Sequence, residues 1–134
     1  AMMHTFTHDP ILGYITTFGG HPVCCAAALA NLEVLLETDI IEQVKKKEAL
    51  FRKLLVHPMI KEVRSAGLMM GVELESFDMV KKVLNRFFEV GLISIGFLFN
   101  DESFRIAPPL IISEAEIKKS CDLVLETLTY CQNK

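Results

Sequence analysis

Two threonines and two glycines stand immediately before an apolar helix in the first part of this sequence. The run Thr16–Pro22 reads TTFGGHP. Pro22 suits the first turn of a helix, where its missing N–H is not needed. Hydroxyl groups next to the free N–H groups of a helix start can bind an anion. The alternative is that Thr17 and the glycines only form a turn and cap the helix.

A single arginine lies between two apolar residues of a short predicted strand. Because Arg105 stands between Phe104 and Ile106, its side chain is predicted to point to the opposite face of the sheet. Pro108 and Pro109 follow and stiffen the chain. A guanidinium can bind a carboxylate through two parallel hydrogen bonds. Arg105 is therefore a candidate carboxylate ligand, and an ordinary surface arginine is the alternative.

The periodicity of the apolar residues predicts four helices and three short strands. Alternation over Leu68–Glu75 indicates a strand with one buried face, and Ser113 with Glu116 forms a capping box for the last helix. The order helix, helix, strand, helix, strand, strand, helix predicts an α+β fold. We expect a small, mostly antiparallel sheet of about three strands with helices packed on one face. The predicted segments are a helix over Pro22–Leu36, a helix after an N-cap at Thr38, the Leu68–Glu75 strand, a helix ending at Gly91, strands at Leu92–Ile95 and Phe104–Ile106, and the helix after Ser113.

The first predicted helix has almost no polar face. Hydrophobic residues make up 51% of the 134 residues, and they are concentrated in Cys24–Leu32. A helix that is apolar on all sides is buried or membrane-inserted, and this run is too short to span a bilayer. We therefore expect protein outside this chain, another domain or another subunit, to cover it. Burial at the centre of the chain's own domain is the alternative.

Charge and cysteine content exclude several classes of protein. The net charge is −3 and no basic stripe suggests a nucleic-acid partner. The Lys45–Lys47 run is expected to be a solvated face, with Glu42 pairing with Lys46. The four cysteines show neither metal-ligand spacing nor a secreted disulfide pattern, and residues 1–10 carry no signal-peptide pattern. These features predict a cytoplasmic protein with no metal site and no membrane partner.

Four segments, in order, resemble motifs of the class III (ornithine/acetylornithine/4-aminobutyrate type) pyridoxal-phosphate-dependent aminotransferases. Thr16–Pro22 resembles the Ser/Thr-Thr-Phe/Tyr-Gly-Gly-Asn/His-Pro element, and Ala26–Leu35 resembles the helix after it. Val63–Leu74 resembles the Val-Arg-Gly-x-Gly-Leu-Met strand, with Ser65 where glycine is usual. Phe104–Ile112 resembles the Leu-Arg-Phe/Leu-x-Pro-Pro-Leu element. The match covers nearly all of this chain but only the last part of such an enzyme.

The resemblance implies that this chain is the C-terminal small domain of a fold-type I pyridoxal-phosphate transferase. Residues 1–21 would be an irregular lead-in and interface segment, and residues 22–134 would be the small domain with its leading helices. It further implies a missing N-terminal large domain and a homodimer. Thr17, and less strongly Thr16, would bind the phosphate of the cofactor held by the neighbouring subunit. Arg105 would bind the carboxylate of the substrate or of the amino donor.

The function implied is transfer of an amino group from an amino acid or amine to a 2-oxo acid. In the family, the lysine that forms the Schiff base with pyridoxal phosphate lies upstream of the threonine–glycine element. Seven lysines fall on predicted helices in charged surroundings, so none of them is a candidate for the Schiff-base lysine. The chain alone is therefore expected to have no catalytic residue, no transaminase activity and no bound pyridoxal phosphate. Those lysines are Lys45, Lys46, Lys47, Lys81, Lys82, Lys118 and Lys119.

Two alternatives stay open. A decarboxylase, aminomutase or racemase of the same family would carry the same motifs, and a non-catalytic α+β interaction module would leave Arg105 merely exposed. Arg64 is interpreted as a structural ion-pairing residue, and His21 as a local hydrogen-bonding residue. Glu73 and Glu75 are interpreted as solvated acids rather than a general acid–base pair.

Overall fold

The computed structural model describes residues 16–133. These residues form two compact units that divide between Thr38 and Asp39. The α+β class and the three-stranded antiparallel sheet are confirmed, whereas the expected boundary between residues 21 and 22 stays a prediction. The elements are α1 (Pro22–Glu37), α2 (Ile40–Leu54), β1 (Glu62–Ala66), β2 (Met69–Glu73), α3 (Phe77–Glu89), β3 (Ser103–Ile106) and α4 (Glu114–Gln132).

The first unit consists of a turn followed by α1. The helix begins at Pro22 as predicted, and the Nδ1 atom of His21 caps it by accepting a hydrogen bond from the Val23 N–H at 3.3 Å. None of its 16 residues is buried, so the described part of the first unit does not enclose the helix by itself. Across the described residues, the helices lack the length and apolarity needed to cross a membrane.

The start of α2 differs from the prediction. Asp39 is the N-cap, and Thr38 instead donates its hydroxyl to the Val34 carbonyl at 2.6 Å. That bond satisfies one of the carbonyls left open at the end of α1. The expected capping residue therefore closes the preceding helix rather than opening the next one.

Lys47 is not part of a solvated face, which corrects the expectation for the Lys45–Lys47 run. Its side chain is buried, with 8% of the residue exposed, and its Nζ donates to the Leu110 carbonyl at 2.6 Å. The long aliphatic stem of a lysine packs well against apolar neighbours when its ammonium finds an acceptor. Lys46 pairs with Glu114 at 3.0 Å and not with Glu42, so Lys46 connects α2 to the first residue of α4, and Lys47 connects α2 to the segment before that helix.

The sheet has the order β1-β2-β3, with both pairings antiparallel. The alternation predicted for Leu68–Glu75 is confirmed over β2, where Met70 and Val72 are fully buried. β1 was not predicted as a separate strand; a turn at Gly67, whose φ is +62°, joins it to β2.

The predicted strand at Leu92–Ile95 is wrong. The chain there runs beside β3 without forming a regular ladder, with an isolated bridge between Gly96 and Phe104. Two backbone hydrogen bonds tie it to β3, from the Arg105 N–H to the Ile95 carbonyl at 2.8 Å and from the Phe97 N–H to the Ser103 carbonyl at 3.3 Å. This segment is therefore held against the strand that carries Arg105.

One face of the sheet packs against helices. Phe104 and Phe87 meet edge to face with ring centroids 5.2 Å apart, a favoured aromatic geometry. The capping box of α4 is present as predicted, with Ser113 and Glu116 each accepting from the other's backbone N–H. The buried core comprises Phe51, Leu55, Leu68, Met70, Val72, Leu74, Val80, Val83, Phe87, Phe104, Ile117, Cys121, Val124, Leu128 and Cys131.

We predict that Gly67→Ala destabilises the fold more than Gly91→Ala. Both glycines have positive φ, +62° and +80°, so each alanine costs about 1–2 kcal/mol in a left-handed conformation. At Gly67 the new Cβ would also lie 2.7 Å from Val44 Cγ1, whereas nothing lies within 4 Å at Gly91. A β-branched side chain on a helix cannot rotate away, so overpacking adds roughly 1–3 kcal/mol.

Urea unfolding of the variants measures this difference. Gly91→Ala is the matched control for the backbone cost. In a Val44→Ala background, which lacks the colliding methyl, Gly67→Ala should cost no more than Gly91→Ala does in the wild type. Equal unfolding free energies for the two single variants would contradict the close packing of Gly67 against α2.

Candidate functional site

The face of the sheet opposite the core carries a row of two arginines with a glycine between them. Arg64 pairs with Gly71 in β1 and β2, and Gly71 pairs with Arg105 in β2 and β3. Directly opposed residues of an antiparallel sheet share a face. Since Val72 and Phe104 face the core, the residues beside them face away. The prediction that Arg105 points away from the core face of β3 is confirmed.

Arg105 lies against an aromatic ring and has no acid partner among residues 16–133. Its guanidinium carbon lies 4.8 Å from the centroid of the Phe97 ring, within the range of a cation–π interaction. Its carbonyl accepts a hydrogen bond from Ser94 Oγ at 2.5 Å. The Nε atom is buried, and among the described residues it is the one buried side-chain nitrogen or oxygen without a hydrogen-bond partner. A buried donor without an acceptor is uncommon in folded proteins.

The other three arginines all have acceptors within the chain. Arg52 donates to the Val63 carbonyl at 2.7 Å and to Ser65 Oγ at 2.9 Å. Arg86 pairs with Glu89 at 2.7 Å, and Arg64 pairs with two acids. Within residues 16–133, Arg105 is the arginine that lies within 4.0 Å of no carboxylate and donates no side-chain hydrogen bond. It is therefore the one whose guanidinium is free to bind an external anion.

Arg64 has the structural role that was predicted for it. It pairs with Glu62 at 2.8 Å and, more closely, with Glu73, and it donates to Ser103 Oγ at 3.2 Å. The hydrogen bond from Arg64 lowers the pKa of Glu73, and the same bond is the main cause of the raised pKa of Arg64. Glu73 is thus a half-buried ion-pair partner, which corrects its interpretation as solvated, whereas Glu75 is exposed.

A small cleft adjoins Arg105 where β3 ends. It has a volume of about 180 Å³, and Ser94, Pro108 and Ser120 contribute to its walls together with apolar side chains of α2 and α4. In the part of the chain that the structure describes, no three histidine, cysteine, aspartate or glutamate side chains converge as metal ligands would. The chemistry available on the open face of the sheet is the binding of an anion by the Arg105 guanidinium, which lies against the Phe97 ring.

The second predicted site lies in the other unit, on the turn before α1. The Gly19 N–H donates to the Thr16 carbonyl at 3.4 Å, and Gly20 has a φ of +77°. A Cβ on Gly19 would collide with Thr16 Oγ1, so the glycine makes room for the Thr16 side chain. Thr16 therefore belongs to the turn itself.

Thr17 is also a residue of this turn, which fits the alternative that it helps to form the turn. It is exposed, and its hydroxyl makes no hydrogen bond with any residue from 16 to 133. The alternative that Thr17 caps α1 is wrong, because His21 does so, which also confirms the local hydrogen bond predicted for His21. An exposed hydroxyl on a turn ahead of a helix fits a phosphate group, which accepts hydrogen bonds from such donors.

Reasoning from the sequence missed Phe97, Gly71 and Ser94. The run Phe97-Leu98-Phe99 is an unusual apolar stretch in a connecting segment, and Phe99 is 98% exposed. That apolar stretch is the one feature of the sequence that could have drawn attention to Phe97. Nothing local indicates that Phe97 lies against Arg105, because the contact depends on which strands are neighbours.

Comparisons with known proteins agree with these motifs. Residues 2–128 match the family model described as Aminotransferase class-III. The chain is 39% identical over 127 residues to acetylornithine aminotransferase of Methanocaldococcus jannaschii, covering 85% of this chain and 29% of that protein. It is 36% identical over 118 residues to ornithine aminotransferase 2 of Staphylococcus aureus, covering 86% and 28%.

Solved structures show the same relationship. A Bacillus anthracis aminotransferase superposes with a TM-score of 0.78 at 27% identity, covering 96% of this chain and 33% of that one. The adenosylmethionine-8-amino-7-oxononanoate aminotransferase of Methanocaldococcus jannaschii superposes with a TM-score of 0.74 at 28% identity, covering 89% and 30%. The chain therefore spans about three tenths of the length of its relatives, and by sequence and by fold it belongs to the class III aminotransferases.

Proposed function

We propose that this chain is the C-terminal part of a pyridoxal-phosphate-dependent aminotransferase that moves an amino group from an amino acid or amine to a 2-oxo acid. Its role in that enzyme is to present Arg105 to a substrate carboxylate. The observation that carries this proposal is the free guanidinium: three arginines have acceptors within the chain, and Arg105 has none among the described residues. A fixed guanidinium without an internal anion suits bidentate binding of a carboxylate.

The cofactor is part of the same proposal. Pyridoxal phosphate, when bound, supplies the electron sink that stabilises negative charge on the substrate carbon. The donor chemistry of the turn before α1 fits its phosphate, because the exposed Thr17 hydroxyl is unpartnered within residues 16–133. We assign Thr17 to the cofactor phosphate of a neighbouring subunit and give Thr16 a lesser part, since its side chain packs into the turn.

The enzyme would require protein beyond this chain. No residue of α1 is buried, and the helix is apolar, which supports cover by a large domain, by a second subunit, or by both. The lysines do not supply a Schiff-base candidate: the one buried lysine among the described residues, Lys47, donates to a backbone carbonyl. We therefore infer that residues 1–134 alone do not catalyse transamination. A homodimer and a cytoplasmic location stay predictions.

In the full-length protein, Arg105→Ala should selectively weaken the binding of substrates that carry the carboxylate. Loss of charge-assisted hydrogen bonds corresponds to roughly a 10- to 100-fold rise in KM. The matched ligands are N-acetyl-L-ornithine and N-acetyl-1,4-diaminobutane, which differ by the carboxylate alone. Arg105→Lys keeps the charge but loses the paired geometry and should be intermediate. Equal losses for both ligands would show that Arg105 is structural.

Thr17→Ala should weaken retention of pyridoxal phosphate in the same protein. One charge-assisted hydrogen bond is removed, so the dissociation constant should rise roughly 10-fold or more. Thr17→Ser keeps the hydroxyl and is the matched control, and Thr16→Val should have a smaller effect. The measurement is a spectroscopic titration of apoenzyme with the cofactor. Unchanged affinity in Thr17→Ala would remove this residue from the cofactor site.

Purified residues 1–134 should form no specific Schiff base with pyridoxal phosphate. Borohydride reduction followed by peptide mapping should find only scattered, substoichiometric lysine adducts, because the one buried lysine among residues 16–133, Lys47, donates to a backbone carbonyl. A single lysine trapped stoichiometrically would contradict the inferred inactivity of the chain by itself.

A further inference from the structure

The ring of Phe97 lies on the open face of the sheet, directly against Gly71. A Cβ added to Gly71 would lie 3.1 Å from Phe97 Cε2 and 3.4 Å from Cζ, closer than carbon atoms normally approach. Gly71 is buried, and β2 here offers the ring a surface without a side chain. Glycine within a strand often marks such a close approach.

Arg105 lies against the same ring. It is the cross-strand partner of Gly71, and its guanidinium carbon is 4.8 Å from the ring centroid. Backbone hydrogen bonds fix the spacing, because the Phe97 N–H donates to Ser103 and the Arg105 N–H donates to Ile95. Ring and guanidinium are therefore held together by the same pairing between the 95–97 segment and β3.

The guanidinium of Arg105 lies along the ring and is not paired with the nearby acid Glu73. Glu73 is on the same face, one row from Arg105, since it pairs with Ser103 and Gly71 pairs with Arg105. Such diagonal neighbours are roughly 7–8 Å apart, within reach of long side chains. Glu73 is instead paired with Arg64, and Arg105 is extended along the aromatic face.

We propose that Phe97, seated on Gly71, is a positioning residue for Arg105. It holds the guanidinium by stacking, without an acid partner among residues 16–133, and so leaves its N–H groups for the carboxylate of the substrate. Stacking orients a planar cation while its hydrogen-bond donors stay available. The inference rests on the proposed function, in which Arg105 is the carboxylate-binding residue.

The test is a comparison of variants in the full-length enzyme. Phe97→Leu should raise KM for N-acetyl-L-ornithine about three- to tenfold, the range of a cation–π interaction, with kcat changed less than about twofold. The KM for N-acetyl-1,4-diaminobutane, or its inhibition constant if it acts as a competitive inhibitor, should not change. Phe97→Tyr keeps the ring and should keep the wild-type KM.

A glycine pair supplies the matched control. Gly71→Ala should displace the ring and raise the same KM, whereas a Cβ at Gly96 meets only the Ser103 carbonyl at 3.7 Å, an ordinary contact, so Gly96→Ala should leave it unchanged. Equal effects of Phe97→Leu on both ligands, or no effect on either, would overturn the positioning role. If that happened while Arg105→Lys still weakened binding of N-acetyl-L-ornithine more than binding of N-acetyl-1,4-diaminobutane, the proposed function would stand. If Arg105→Lys affected both ligands equally, the proposed function would fail as well.

A readout without catalysis tests the geometry itself. In the full-length enzyme labelled with ¹⁵N-arginine, the Nε–H resonance of Arg105, assigned by its loss in Arg105→Lys, should carry a ring-current shift from Phe97. That shift should disappear in Phe97→Leu and persist in Phe97→Tyr. An Arg105 resonance that is identical in the wild type and in Phe97→Leu would overturn the proposal.

Discussion

The pairing register of β2 with β3 is the constraint on which the candidate site depends. It places Arg105 opposite Gly71 on one face, and Phe104 opposite Val72 on the other. Phe104 and Val72 are fully buried, so a slip by one residue would expose them and drive a guanidinium into the core. The apolar packing on one side of the sheet therefore fixes the polar arrangement on the other.

The two units differ in how complete they are. Residues 39–133 have a buried core that includes side chains of three helices and the sheet, whereas none of the residues of α1 is buried. An apolar helix without cover is an unfavourable surface in water. Together with a length of about three tenths of its relatives, this contrast supports the proposal that the chain is one part of a larger enzyme, in which Arg105 would bind the substrate carboxylate.

Charge on the open face of the sheet is divided between two arginines with opposite roles. Arg64 is held by Glu62 and Glu73, and the lowered pKa of Glu73 keeps that carboxylate ionised and engaged. Arg105 lies in the same row against an aromatic ring. Glu73, the acid diagonal to Arg105, is thus occupied by Arg64, and no carboxylate among residues 16–133 pairs with Arg105.

The sequence by itself determined the features that depend on neighbours along the chain. These include the start of α1 at Pro22, the capping box at Ser113, the alternation in β2, and the face on which Arg105 lies, as well as the family motifs. Only the tertiary structure decided that Lys47 is buried against Leu110, that Leu92–Ile95 forms no regular strand, and that Phe97 lies on Gly71 beside Arg105. The reason is the separation of these residues along the sequence. Periods of 2 and 3.6 residues can be recognised in a local stretch of sequence, whereas a contact between residues 71 and 97 forms only once the strands have paired.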